Sequence, residues 1–130
     1  MKPTNLLTPK EKICQEVDRL SDLLWRIAKD IHANPEVGWE TPKAVQWLTE
    51  PLRDAGFKVE TGIAGLSSAF RAEWSGKINA RPVVALLAEY DALRGLGHGC
   101  GHNLIGTAAV GAALALRRAI PDLPGQVWVF

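Results

Sequence analysis

The six residues His98-Gly99-Cys100-Gly101-His102-Asn103 set a thiol and an imidazole two positions apart, on a backbone that glycine leaves free to bend. Two of the three histidines and one of the two cysteines in the chain fall within this stretch. A soft sulfur donor beside a ring nitrogen suits a divalent transition metal. The pair alone is a weak signal, and the sequence offers no evident set of residues to complete it.

The neighbouring residues add chemistry. An apolar strand, Val83 to Ala88, ends at Glu89-Tyr90-Asp91, so two carboxylates emerge at its carboxyl edge. Cys100 and His102 then stand at the mouth of the next helix, where the helix N-terminus favours a thiolate ligand. Asp91 is placed to hydrogen-bond a ligand imidazole. Plainer readings stand beside this one. Glu89 and Asp91 can be ordinary loop acids, Asp91 can cap a turn, His98 can be an exposed loop residue, and the glycines can serve a tight turn. A nucleophilic Cys100 with His98 or His102 as base is a further reading, but no orienting third group beyond Asp91 is evident.

The elements that must position these residues follow from pattern. Ile13, Val17, Leu20, Leu24, Ile27 and Ile31 recur at steps of three and four, which predicts one amphipathic helix from Glu11 to about Ala33, after a loose leader over residues 1–9. Asn34-Pro35 stops it. Thr41-Pro42 reads as N-cap and first residue of a second helix, which Pro51 kinks or shortens and Gly56 ends. Phe57 to Glu60 alternates as a half-buried strand, and a second strand runs from about Ser68 to Trp74. Ser75-Gly76-Lys77 signals a turn of hairpin type. Val83-Val84-Ala85-Leu86-Leu87 is the unbroken apolar run of a strand covered on both faces. A helix from about Asn103 to Ala119, rich in small residues, can pack closely on a sheet, and Gln126 to Phe130 begins another strand.

Composition bounds the class. At 130 residues, 47% apolar and 22% charged, the chain has the profile of one soluble globular domain. A formal charge of +1 leaves no electrostatic footprint for nucleic acid or an anionic membrane. No uncharged run approaches the roughly 20 residues of a membrane span, and the polar first dozen residues do not read as a signal peptide. Cys14 is expected at an inward or half-buried helix position, and two cysteines make no disulfide framework. A cytoplasmic setting is expected. The five tryptophans are dispersed, which favours core packing over base stacking.

The run AEYDALRGLGHGCGHNLIGTAAVGAALAL resembles the metal-binding segment of the aminoacylase-like metallopeptidase and amidohydrolase family, and in particular its p-aminobenzoyl-glutamate hydrolase and dipeptidase branch. IHANPEVGWE and LRDAGFKVETGIAGLSSAFRAEW are also typical of that branch, so the resemblance covers nearly the whole chain. It implies that Cys100 and His102 are direct ligands of a divalent metal, zinc foremost with manganese or cobalt as alternatives. Asp91 matches the supporting aspartate, Glu89 falls where other branches carry a histidine ligand, and His98 matches a histidine near the metals. Asn103 stands where many relatives have aspartate. Arg94 replaces a usual proline, which loosens the loop, and Gly99 replaces a usual alanine.

The fold implied is α/β, a zinc-peptidase-like layered fold with a mixed sheet flanked by helices, incomplete at the C-terminus. Residues 1–130 would be the N-terminal part of a catalytic domain. The glutamate pair that supplies the general base, the later histidine ligands and a lid-like dimerisation domain would lie elsewhere. The activity implied is hydrolysis of amide bonds in N-acyl amino acids, aminobenzoyl-glutamate-like compounds or dipeptides. The full-length protein would be a homodimer, and this portion alone would be inactive. The alternative is a non-catalytic metal-binding module or subunit completed by another chain.

Overall fold

The computed structural model describes residues 7–78 and 80–130. The leader expected over residues 1–9 therefore lies, for its first six residues, outside the described residues. Thr8 opens helix α1 (Pro9–Arg19) with a reciprocal cap: its hydroxyl accepts from the Glu11 N–H at 3.3 Å, and Glu11 Oε2 accepts from the Thr8 N–H at 2.8 Å. Helix α2 (Ser21–Ala33) follows after one residue, the buried Leu20. The single helix expected from Glu11 to Ala33 is thus two. No proline or glycine marks the break, and Leu20 keeps αR angles (φ −87°, ψ −5°); of the predicted stripe, Ile13 is half-buried and Val17 exposed, and burial begins at Leu20.

Helix α1 buries none of its residues, and Cys14 is exposed rather than inward. Helix α2 buries Ile27, Ala28 and Ile31. Helix α3 (Pro42–Asp54) starts where Thr41-Pro42 predicts, but Thr41 makes no side-chain cap. The Glu36 carboxylate does that work from the preceding loop, accepting from the Lys43 N–H at 3.2 Å and the Ala44 N–H at 3.0 Å. Pro51 sits inside α3, which runs on to Asp54.

Four strands form one mixed sheet in the order β1-β2-β4-β3: β1 (Lys58–Thr61), β2 (Phe70–Ser75), β3 (Val83–Leu86) and β4 (Gln126–Val129). β1–β2 and β2–β4 are antiparallel, and β3–β4 is parallel. The 75–77 turn does not close a hairpin, because β4 lies between β2 and β3. Strand β3 is the last of the sheet, and Val84 and Leu87 are 54% and 68% exposed. Among the described residues the expected cover on both faces is absent there, because an apolar run does not distinguish an inner strand from an edge.

Helix α4 (His102–Ala119) is the crossover between β3 and β4. It buries nine residues, among them Val110, Ala113 and Leu114, against a core shared with Leu48, Leu52, Phe70, Val127 and Val129. Its small residues permit close approach. A Cβ on Gly106 would meet the Glu89 carbonyl oxygen at 2.8 Å, and one on Gly111 would meet Leu24 at 2.8 Å. Helix α4 therefore presses directly on Glu89, three residues past the end of β3, which brings its N-terminus to the sheet's carboxyl edge. No helix among the described residues is long and apolar enough to cross a membrane.

Candidate functional site

The chain leaves β3, pairs Ala88 N–H with the Phe130 carbonyl at 2.6 Å, and delivers Glu89, Tyr90 and Asp91 in succession. Tyr90 fixes this segment. Its ring stacks on Phe70 at 5.8 Å, and its hydroxyl donates to the Ser68 carbonyl at 2.6 Å. Burial, with the Asp91 charge adding, pushes the Tyr90 phenol up to about 12. Ala92 then donates to the Glu36 carbonyl at 2.7 Å, and two backbone bonds between Leu93 and Gly97 close the following turn. The Arg94 that stands in that turn does not open it.

The chain next passes His98 and reaches α4 through Gly101, whose φ of +86° is left-handed and suits glycine. His102, the first residue of α4, meets both carboxylates of the β3 edge. Its Nδ1 lies 2.8 Å from Asp91 Oδ1 and 3.1 Å from the Asp91 carbonyl oxygen. Its Nε2 lies 2.9 Å from Glu89 Oε2. Both Nδ1 partners are acceptors, so Nδ1 carries the proton and donates it. Nε2 and Glu89 Oε2 then require either a second proton or a cation between them. Aspartate-held imidazole is the arrangement in which the far nitrogen serves a metal.

Cys100 is exposed and free, two residues before His102. Sulfur and imidazole nitrogen suit zinc, and the carboxylate facing Nε2 marks a place for positive charge, so these donors fit a share of a divalent metal site. Among the described residues, no group of three or more His, Cys, Asp or Glu is arranged to hold an ion by itself.

His98 is buried, which an ordinary loop histidine would not be. Both its ring nitrogens are buried without a hydrogen-bond partner. Burial, with the His32 and His102 charges adding, holds its imidazole below the ordinary histidine value, against the opposing effect of Asp91. The ring of His32, near the end of α2, comes within 6.3 Å of it. Sequence reasoning missed His32. Its place in the IHANPE segment was the only available sign, because nothing local links residue 32 to residue 98. Asn103 is a tether rather than a donor to the site: its amide donates to the Ala28 carbonyl at 3.1 Å and ties α4 to α2.

Beside Glu89 and Asp91 a cleft of about 260 Å³ opens, walled by Trp39 and Tyr90 and backed by Leu66 and Ala69. Trp39 is 74% exposed.

No family model matches the chain. It is 38% identical over 109 residues to a p-aminobenzoyl-glutamate hydrolase subunit of Escherichia coli, covering 71% of this chain and 22% of that protein. It is 38% identical over 123 residues to the Xaa-Arg dipeptidase of Mus musculus, covering 88% of this chain and 28% of that protein. A solved structure classed as an aminohydrolase, from methicillin-resistant Staphylococcus aureus, superposes with a TM-score of 0.68 at 18% identity, over 94% of this chain and 34% of that one. The structural likeness shows the same fold. The chain spans between 22% and 33% of the length of the curated relatives it matches. On these likenesses, and on a fold with a mixed sheet flanked by helices, the chain belongs to the aminoacylase-like amidohydrolase and peptidase family.

Proposed function

We propose that this chain contributes Cys100 and His102 to the centre of a metal-dependent amidohydrolase acting on N-acyl amino acids, aminobenzoyl-glutamate-like compounds or dipeptides. The observation that carries the reading is the His102 ring, held by Asp91 at Nδ1 and faced by Glu89 at Nε2. A divalent metal, zinc foremost with manganese or cobalt as alternatives, would be held by Cys100 and His102 and would supply Lewis acidity toward the scissile carbonyl and the attacking water. The chain's own residues supply the frame. Asp91 keeps the proton on Nδ1 and the ring in place, Glu89 provides negative charge opposite Nε2, and Tyr90 anchors the segment that presents both acids.

Residues 1–130 are assigned to the N-terminal part of a catalytic domain, with the general base and further ligands supplied by other residues of the whole, homodimeric protein. The two free cysteines suit a reducing compartment, and the cytoplasm is the compartment proposed. An assay of residues 1–130 with N-acyl amino acids and zinc is expected to give no turnover. Turnover that a chelator and Cys100→Ser both abolish would overturn the claim that this portion is inactive alone.

A second reading is favoured by the Escherichia coli relative, which is one subunit of its hydrolase. In it, the chain is a metal-binding module completed by a different chain. One saturable zinc per monomer is expected on both readings; turnover recovered only on adding a different chain supports this one.

A further inference from the structure

We propose that the groove between α2, α3 and the C-terminal end of α4 binds a free α-amino acid with an apolar side chain, taking its carboxylate on arginine and its ammonium on glutamate and aspartate. Arg117 stands fifteen residues after His102 on α4, about 22 Å along the helix axis, so this site is separate from the metal half-site. The inference does not rest on the amide-hydrolase reading.

The groove, of about 660 Å³, is lined by charges of both signs that do not neutralise one another. Glu50 and Asp54 stand four residues apart on α3, on one wall. Like charges at that spacing repel, and a bound cation relieves the repulsion. Arg117 and Arg118 close one end from α4, and α2 adds Arg26 and Asp30. Among the described residues none of these side chains enters an ion pair. The result is a groove with an acidic wall and a basic end, which matches a ligand that carries both signs. A simple anion would meet Glu50 and Asp54, and a simple cation would meet the arginines, so neither alone fits.

Arg117 gives the basic end its shape. Its guanidinium lies over the ring of the buried Trp74, 5.1 Å from the centroid, which holds the fork in place. Its Nε is buried without a hydrogen-bond partner, so no acceptor among the described residues claims that edge of the fork. A guanidinium fixed by stacking and left without a partner is suited to a carboxylate, which it can hold through two parallel N–H bonds. The half-buried Leu23 and Trp47 supply an apolar floor. A cavity of about 150 Å³ takes up benzene, so the groove has room for a leucine-sized side chain beside the two charges.

The test is calorimetric titration of the zinc-free 130-residue chain with L-leucine, leucinamide and 4-methylpentanoate, the last two lacking the carboxylate and the ammonium in turn. Saturable binding of one L-leucine per chain is expected, with each analogue at least about tenfold weaker, the loss of one hydrogen bond to a charged group. Glu50→Gln and Arg118→Gln, both at exposed positions, should each weaken L-leucine binding roughly tenfold while circular dichroism shows an unchanged fold. Arg117→Lys should weaken it too, because an ammonium lacks the planar fork that stacks on Trp74 and grips a carboxylate at two points. Absence of saturable L-leucine binding, equal binding of either analogue, or an unchanged affinity in Glu50→Gln or in Arg118→Gln would overturn the proposal.

Discussion

Asp91 grips His102 twice, through its carboxylate at 2.8 Å and its own backbone carbonyl at 3.1 Å, both at Nδ1. The two bonds together set the tautomer and the ring plane, and the carboxylate is the one a mutation can remove. Asp91→Ala should weaken zinc binding about 10- to 100-fold, the usual cost of losing such a support. Zinc titration calorimetry reads the change, and an unaltered affinity would show that the carbonyl alone orients the ring.

Glycine positions at the site differ in what they touch. Gly106→Ala would drive a methyl to 2.8 Å from the Glu89 carbonyl oxygen, where only backbone can yield. Gly99→Ala would meet only the side chain of Leu96 at 2.9 Å, and Leu96 is 67% exposed and free to move. Chemical denaturation should show a loss of about 1–3 kcal/mol for Gly106→Ala and little change for Gly99→Ala. Equal effects would contradict the close approach of α4 to Glu89.

The pH dependence of Tyr90 can be read directly, because it is the chain's only tyrosine. Its phenol ionises near 10.0 when unfolded and is pushed up to about 12 in the fold. The folded state therefore holds the proton longer, and the stability this contributes is full below about pH 10 and is lost as pH rises toward 12. Tyrosinate absorbance should titrate near 12 in the native chain and near 10 in urea. Tyr90→Phe should cost about 1 kcal/mol at neutral pH through loss of the bond to Ser68, and should flatten the alkaline decline. A native titration near 10 would contradict the buried phenol.

Asn103 is buried and donates to a carbonyl, which a carboxylate cannot do. Asn103→Asp should therefore destabilise the chain by about 1–3 kcal/mol at neutral pH. The penalty should shrink in acid, where the protonated side chain regains a donor. Urea midpoints at acid and neutral pH check the sign.

Several of these relationships were legible in the residues. The order of the strands and of the later helices along the chain, the glycine-led turn into α4 and the emergence of Glu89 and Asp91 at the end of the apolar strand follow from periodicity and from where glycine stands; the approach of Glu89 to His102 does not. The break at Leu20 did not, because it keeps helical angles and carries no breaker. Nor did the exposed face of β3, since an apolar run looks the same at the edge of a sheet as inside it. Glu36 capping α3, and His32 meeting His98, depend on contacts across the fold that no local pattern encodes. Cys14 stands next to Ile13, which packs on the core, yet its own side is exposed.

The central claim is that Cys100 and His102 form this chain's share of a metal site, and zinc titration of the 130-residue chain tests it most directly. The account predicts saturable binding of one zinc per chain, lost in Cys100→Ser and in His102→Ala while the fold persists by circular dichroism. Absence of zinc binding in the folded chain, or binding that survives both substitutions, would contradict it.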